Sequence, residues 1–309
     1  MKLVKKAILA FVCMIAWCIT VSGQSRVVDL WNGKVPGSIY NASYKQIIDS
    51  TYWIKVRFVT NPTLQVYQAP AETNTGTAVV VCPGGGYYGL SLVNEGIEMA
   101  KWLNGLGITA VVLYYRLPDD AIMKNKSIGP MQDGQEAIRM VRRHAAEWGI
   151  NPKKIGIMGF SAGGHLASTI STHYDENVYK PIDSTSARPD FSLLIYPVIS
   201  MDSSITHWGS RENLLGKKPS SELVQHFSNE SQVTSQTPPA FLVHSIDDGT
   251  VPVANSIEYA MALKNKKVPC ELHLYEHGGH GYGLGRSKDT ESSWPEACRR
   301  WLEANGFLH

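Results

Sequence analysis

Ile155-Gly156-Ile157-Met158-Gly159-Phe160-Ser161-Ala162-Gly163-Gly164-His165-Leu166-Ala167 decides how the rest of the chain is read. Its first residues are a continuous apolar run, as a strand buried on both faces requires. From Ala162 the composition is that of a helix. Between the two lies Gly-x-Ser-x-Gly. A strand that turns sharply into a helix at a serine holds that serine in a strained backbone conformation. The residues two before and two after it must be small, or their side chains would collide across the turn. Gly159 and Gly163 meet that need. The helix that follows aims its partial positive N-terminal end at the place where an oxyanion would form. Ser161 is therefore the candidate nucleophile of an acyl transfer.

Working outward, the same strand-then-helix rhythm extends in both directions. Hydrophobic runs predict strands over 78–82, 108–114, 155–159, 191–196 and 240–245, and 270–276 also reads as a strand. Helical spacing covers 93–106, 131–148, 162–173, 254–264 and 293–304. Earlier, 53–59 and 64–68 read as two strands around an Asn61-Pro62 turn, after a loop-like stretch to about Ser50. Strands alternating with helices predict an α/β fold with a mostly parallel central sheet covered by helices on both faces. In such sheets ligands sit beyond the carboxyl ends of the strands. Gly84 to Gly86, Ser161, Asp248 and His280 all fall just after predicted strands. Residues 199–239 break the rhythm, with many Ser, Thr and Pro and a short helical patch over 222–226. That is long for a connection, and it reads as a cap-like insertion over the active site.

The 309 residues allow one large α/β domain, here 24–309, and a hydrophobic fraction of 43% with 18% charged residues is that of a globular protein. Lys2, Lys5 and Lys6, then an apolar run over 7–21, then Val21-Ser22-Gly23 read as a signal peptide over 1–23 that leaves an exported, periplasmic or secreted protein. The run is shorter than the roughly 20 residues of a spanning helix, so no stable membrane insertion is expected after its removal. Loss of those three lysines takes the net charge of +2 to −1. No Lys/Arg run interleaved with aromatics is present, so nucleic acid is not an expected partner. Cys82, Cys270 and Cys298 remain after the leader. Cys270 and Cys298 could pair in an oxidising compartment, and isolated buried thiols are the simpler reading.

Pro83-Gly84-Gly85-Gly86-Tyr87 follows the strand 78–82. A glycine loop there lets backbone N–H groups face the serine, so Gly85 or Gly86, with Ala162, are the expected oxyanion donors. A phosphate loop would need Gly-Lys-Ser/Thr next, which is missing. The base belongs in the loop after the last strand, where His277 and His280 both stand. Glycines on both sides of His280, in Gly278-Gly279-His280-Gly281, allow a tight loop that can return the imidazole to Ser161. The pair lacks an evident third ligand, so no metal is expected. His165, one helical turn past the serine, reads as a packing residue. The acid that orients the base is Asp247 or Asp248, both after the strand 240–245 and both able to reach. The order serine, aspartate, histidine is the one a nucleophile elbow leads one to expect.

With these residues in hand, the chain resembles the α/β-hydrolase superfamily, and within it the acetylxylan-esterase-like and feruloyl-esterase-like bacterial enzymes. The resemblance covers roughly residues 77–302. It rests on Pro83 to Tyr87, Tyr115-Arg116-Leu117-Pro118, Trp148-Gly149-Ile150-Asn151-Pro152, Gly159 to His165, Asp247 to Pro252 and Gly278 to Gly283. The spacing Asp-x-x-Val-Pro seen in such hydrolases selects Asp248. The resemblance implies a serine esterase that takes acetyl groups from an acylated carbohydrate such as xylan or its oligosaccharides, with no cofactor. Feruloyl or general carboxylesterase activity is the alternative. A peptidase of this fold would call for a gating domain. A non-catalytic binding protein would predict a broken Ser161, Asp248 or His280.

Overall fold

The computed structural model describes residues 25–50, 55–285 and 289–308. The leader read over 1–23 lies outside the described residues. Among them, no helix is long and apolar enough to cross a membrane.

Eight strands form the main sheet, in the order β1-β4-β7-β5-β8-β9-β10-β11. These are β1 (Arg26–Asp29), β4 (Thr63–Tyr67), β5 (Ala78–Cys82), β7 (Thr109–Tyr114), β8 (Ile155–Phe160), β9 (Phe191–Ile195), β10 (Ala240–Ser245) and β11 (Cys270–Tyr275). From β7 to β11 all neighbours are parallel, while β4 runs antiparallel to β7 and β1 antiparallel to β4. Strands β5, β8, β9 and β10 are buried at every residue, which is why they read as unbroken apolar runs without alternation. A small antiparallel sheet joins β2 (Ile47–Asp49), β3 (Lys55–Arg57) and β6 (Leu90–Ser91) in the order β2-β3-β6.

The chain goes from β5 through α1 (Glu98–Gly105) to β7, then returns past β5 through α2 (Gly129–Arg143) to β8. Right-handed crossovers in opposite directions place α1 and α2 on opposite faces. Helices α3 (Ser161–Thr172), between β8 and β9, and α6 (Ala254–Asn265), between β10 and β11, continue in the direction of α2 and share its face. The last helix, α7 (Trp294–Ala304), meets α1 through an edge contact of Trp102 with Trp294, ring centroids 5.5 Å apart. The reversal of strand order beside β5 opens a crevice at the carboxyl ends of β5 and β8.

Three features differ from the sequence reading. The strands around Asn61-Pro62 do not pair with each other: β3 joins the small sheet and β4 the large one, with Phe58 in left-handed backbone (φ 58°) between them. The stretch taken as loop to Ser50 supplies β1 and β2. Residues 199–239 are more ordered than the composition suggested: α4 (Trp208–Leu215), α5 (Ser221–His226) and a 3-10 turn over Asn229–Gln232, with Leu214 and Phe227 in the core. Cys82, Cys270 and Cys298 are free thiols.

Candidate active site

At the end of β8 the backbone turns through Ser161, whose φ of 51° lies in the left-handed region. For a residue with a β-carbon this costs about 1–2 kcal/mol, held in place by burial on all sides. A β-carbon at Gly159 would strike the backbone of Gly163, and one at Gly163 would strike the carbonyl of Cys82 at the end of β5. These two glycines therefore make the close approach of strand, turn and helix sterically accessible. Ser161 opens α3, and Ala162 gives the first-turn N–H behind it.

His280 arrives from the loop after β11. Its Nε2 lies 2.9 Å from the Ser161 Oγ, and its Nδ1 lies 2.7 Å from Asp248 Oδ2. Asp248 is buried. Its Oδ1 accepts from the N–H groups of Thr250 (2.8 Å) and Val251 (2.9 Å), and its Oδ2 also meets His244 Nε2 at 3.2 Å. Burial alone would raise this carboxyl. The hydrogen bonds of His244 and His280, the charge on His280 and the Val251 N–H outweigh it and hold the group well below the usual carboxylate range. Because the carboxylate is ionised, Nδ1 of His280 donates to it, which leaves Nε2 to accept from the serine hydroxyl.

Asp247 points elsewhere. Its Oδ1 accepts from the Gly279 N–H at 2.8 Å, and His277, largely exposed, lies 3.5 Å from its other oxygen. Asp247 thus anchors the loop that carries His280. His165 is buried between the Tyr87 hydroxyl (2.8 Å) and the Phe227 carbonyl (2.8 Å), away from the Ser161–His280 pair. Gly84, Gly85 and Gly86 follow the end of β5, and a β-carbon at Gly84 would lie 2.9 Å from that of Ser161. The Gly84 N–H is taken by Glu95 Oε2 at 2.8 Å, whereas no described group accepts from Gly85 or Gly86. Gly85 and Gly86 line a cleft, a cavity of about 380 Å³, together with Lys55, Glu95, Ser161, His207 and His280 among others.

Glu95 and His207 escaped the sequence reading. Glu95 sits in a π-helical turn, Val93–Ile97, at the entry to α1. The extra residue of such a turn swings a side chain off the regular helical face, so a spacing of 3.6 gives no signal for it. Its Oε1 accepts from the Tyr196 hydroxyl at 2.9 Å, and that hydroxyl accepts in turn from the Gly283 N–H at 3.1 Å. Burial raises the Glu95 carboxyl above its ordinary range, against the hydrogen bonds from Tyr196 and Gly84. His207 caps α4, accepting from the Ser210 N–H at 3.3 Å. Histidine is not a habitual cap, so nothing in the sequence marked where α4 begins. In the same helix, Asn213 donates to the Gly86 carbonyl at 2.8 Å, which seats α4 on the glycine loop.

The sequence matches the BD-FAE family over residues 64–263. The chain belongs to that family. It is 43% identical over 237 residues to an acetylxylan esterase of Xylanibacter ruminicola, a match covering 75% of this chain and 46% of that one. It is 37% identical over 205 residues to endo-1,4-beta-xylanase B of Butyrivibrio fibrisolvens, covering 66% of this chain and 32% of the relative. The chain thus spans less than half the length of either. Among solved structures, the acetyl ester-xyloside bifunctional hydrolase of Caldicellulosiruptor lactoaceticus superposes with a TM-score of 0.79 at 36% identity, covering 94% of this chain and 99% of that one. The architecture is that of the α/β-hydrolases.

Proposed function

We propose that this BD-FAE member is a serine carboxylic ester hydrolase that removes acetyl groups from xylan or its oligosaccharides through an acyl-enzyme. The observation that carries the reading is the unbroken hydrogen-bond chain Ser161–His280–Asp248 at a strained elbow. Ser161 Oγ attacks the ester carbonyl carbon as its proton passes to His280 Nε2. Asp248 stabilises the imidazolium, and the N–H groups of Gly85 or Gly86 and Ala162 hold the oxyanion. The imidazolium gives its proton to the departing sugar oxygen. Water then attacks the acetyl-serine, losing one proton to His280; that proton returns to Ser161 as acetic acid leaves and gives up its own proton to solvent as acetate. No step calls for a metal or organic cofactor.

The acetylated xylan substrate is supported by the acetylxylan esterase and xylanase relatives and by the acetyl ester-xyloside neighbour. The polar lining from Lys55, Ser91, Asn94 and Thr250 suits a hydroxyl-rich ligand. The composition of residues 1–23 supports export to where such polymers are found.

The test has two arms. The protein should hydrolyse a chromogenic acetate ester and lose that activity to a serine-directed organophosphate. Ser161→Ala should lower turnover by at least about 10³-fold. With acetylated and feruloylated xylo-oligosaccharides side by side, acetate should be the dominant product. Full activity in Ser161→Ala ends the esterase reading, and a preference for ferulate ends only the acetyl one.

A further inference from the structure

At the far end of α3 from Ser161, about 17 Å along the helix at 1.5 Å per residue, stands a second cluster of chemistry-bearing side chains. His173 follows the last turn of α3, Glu176 lies in the loop after it, and His226 ends α5 in the insertion. Their ligand atoms all lie within 4.8 Å of one another. His226 Nε2 is 3.3 Å from Glu176 Oε2, and the rings of His173 and His226 meet edge to face with centroids 4.7 Å apart.

The tautomer of His173 follows from its neighbour. The Thr172 hydroxyl donates to the Ser168 carbonyl at 2.9 Å, so its oxygen accepts from His173 Nδ1 at 2.8 Å. In the tautomer this arrangement allows, the proton is on Nδ1 and Nε2 carries a lone pair. That Nε2 is buried, in a residue only 6% exposed, and makes no hydrogen bond of good geometry among the described residues. A buried acceptor without a donor is uncommon and costly. A ring held by Nδ1–H with Nε2 free is also the form in which histidine binds metal, its second nitrogen tied to an outer-shell acceptor.

The loop is set before any ligand arrives. The buried Gln135 amide donates to the carbonyls of both His173 (2.7 Å) and Glu176 (3.0 Å). His226 is fixed through the next residue, Phe227, whose carbonyl is held by His165. Helix α5 has six residues and buries none of them, so it gains most from an added tie.

We propose that His173 Nε2, Glu176 and His226 Nε2 form a structural site for a borderline divalent transition metal of the zinc class, with water in the fourth position. The two imidazoles and one carboxylate are a zinc-type donor set, and the 3.3 Å between His226 and Glu176 matches the edge of a coordination sphere of about 2.0 Å radius. The metal staples the insertion to the helix that begins at Ser161.

The probe is Zn²⁺ added to the untagged, chelator-stripped full chain, read by isothermal titration calorimetry and thermal unfolding. One Zn²⁺ should bind per chain and raise Tm by several degrees, as any ligand of the native state alone does. Mg²⁺ at the same concentration should leave Tm unmoved. His226→Gln and Glu176→Gln, both at half-exposed positions, should fold and lose the Zn²⁺-dependent rise. If the wild-type Tm does not respond, or if His226→Gln responds equally, His173 Nε2 is met by water or Zn²⁺ binds elsewhere, and the proposal is overturned.

Discussion

Glu95 touches neither Ser161 nor His280 through a hydrogen bond, yet it links the two loops that flank them. Through Gly84 it holds the glycine loop, and through Tyr196 and Gly283 it holds the loop of His280. Tyr196 also lays its ring edge-on to His280, centroids 4.9 Å apart. Both donors point into the carboxylate, so an amide in its place offers one acceptor where two are needed. Glu95→Gln should leave the fold intact, lower kcat about tenfold to a hundredfold and move KM little, because loop placement matters most when the oxyanion forms. An unchanged kcat would reduce Glu95 to a packing role. Asp248 was told from Asp247 only by the resemblance, whereas Ser161 and His280, which the fold brings into one hydrogen-bonded chain with Asp248, were legible in the sequence because each sits in a local motif after a strand. Glu95 was not, since its partners Gly84 and Tyr196 are joined to it only by the fold.

The inner parallel strands were legible because burial on both faces leaves an unbroken apolar run, and the crossover helices because their apolar residues recur at helical spacing. Elements stabilised by distant partners were not. Strand β1 is paired only along β4, and α4 has neither a habitual cap nor a clear apolar stripe. The Tyr115-Arg116-Leu117-Pro118 stretch, noted in the sequence as a resemblance, is a tie between elements. The buried Arg116 guanidinium binds Asp133 of α2 at 2.8 Å and donates to the carbonyls of Pro36 and Gly129, while Trp31 donates to the same Asp133. It thereby joins the end of β7, the start of α2 and the N-terminal segment. Removing one partner of such a pair leaves a buried charge unmatched, at a cost of about 3–5 kcal/mol. Arg116→Ala should lose about that much in urea unfolding, and a loss under about 1 kcal/mol would show that water reaches Asp133.

Across the molecule, the glycine loop, α3 and the segment after α5 converge on His165. It is wholly buried, meets Tyr87 on one side and Phe227 on the other, and has no room for a second proton, since Phe227 takes Nε2–H and the Tyr87 hydroxyl donates to Nδ1. Burial, reinforced by the nearby His173 and opposed by the Phe227 carbonyl, pushes its imidazole down from 6.5 to about 4. The unfolded chain therefore binds a proton that the folded chain refuses between those values. Stability from this group is fully present above pH 6.5 and is lost as pH falls toward 4, at about 1.4 kcal/mol per unit. Between pH 7.5 and pH 5 the wild type should lose about 2 kcal/mol through His165. His165→Gln keeps an acceptor and a donor but cannot titrate, so its unfolding free energy should fall less over the same interval, whatever its absolute value. Equal slopes in the two proteins would mean that His165 protonates without unfolding, and that the joint between Tyr87 and Phe227 opens in acid while the rest of the molecule stays folded.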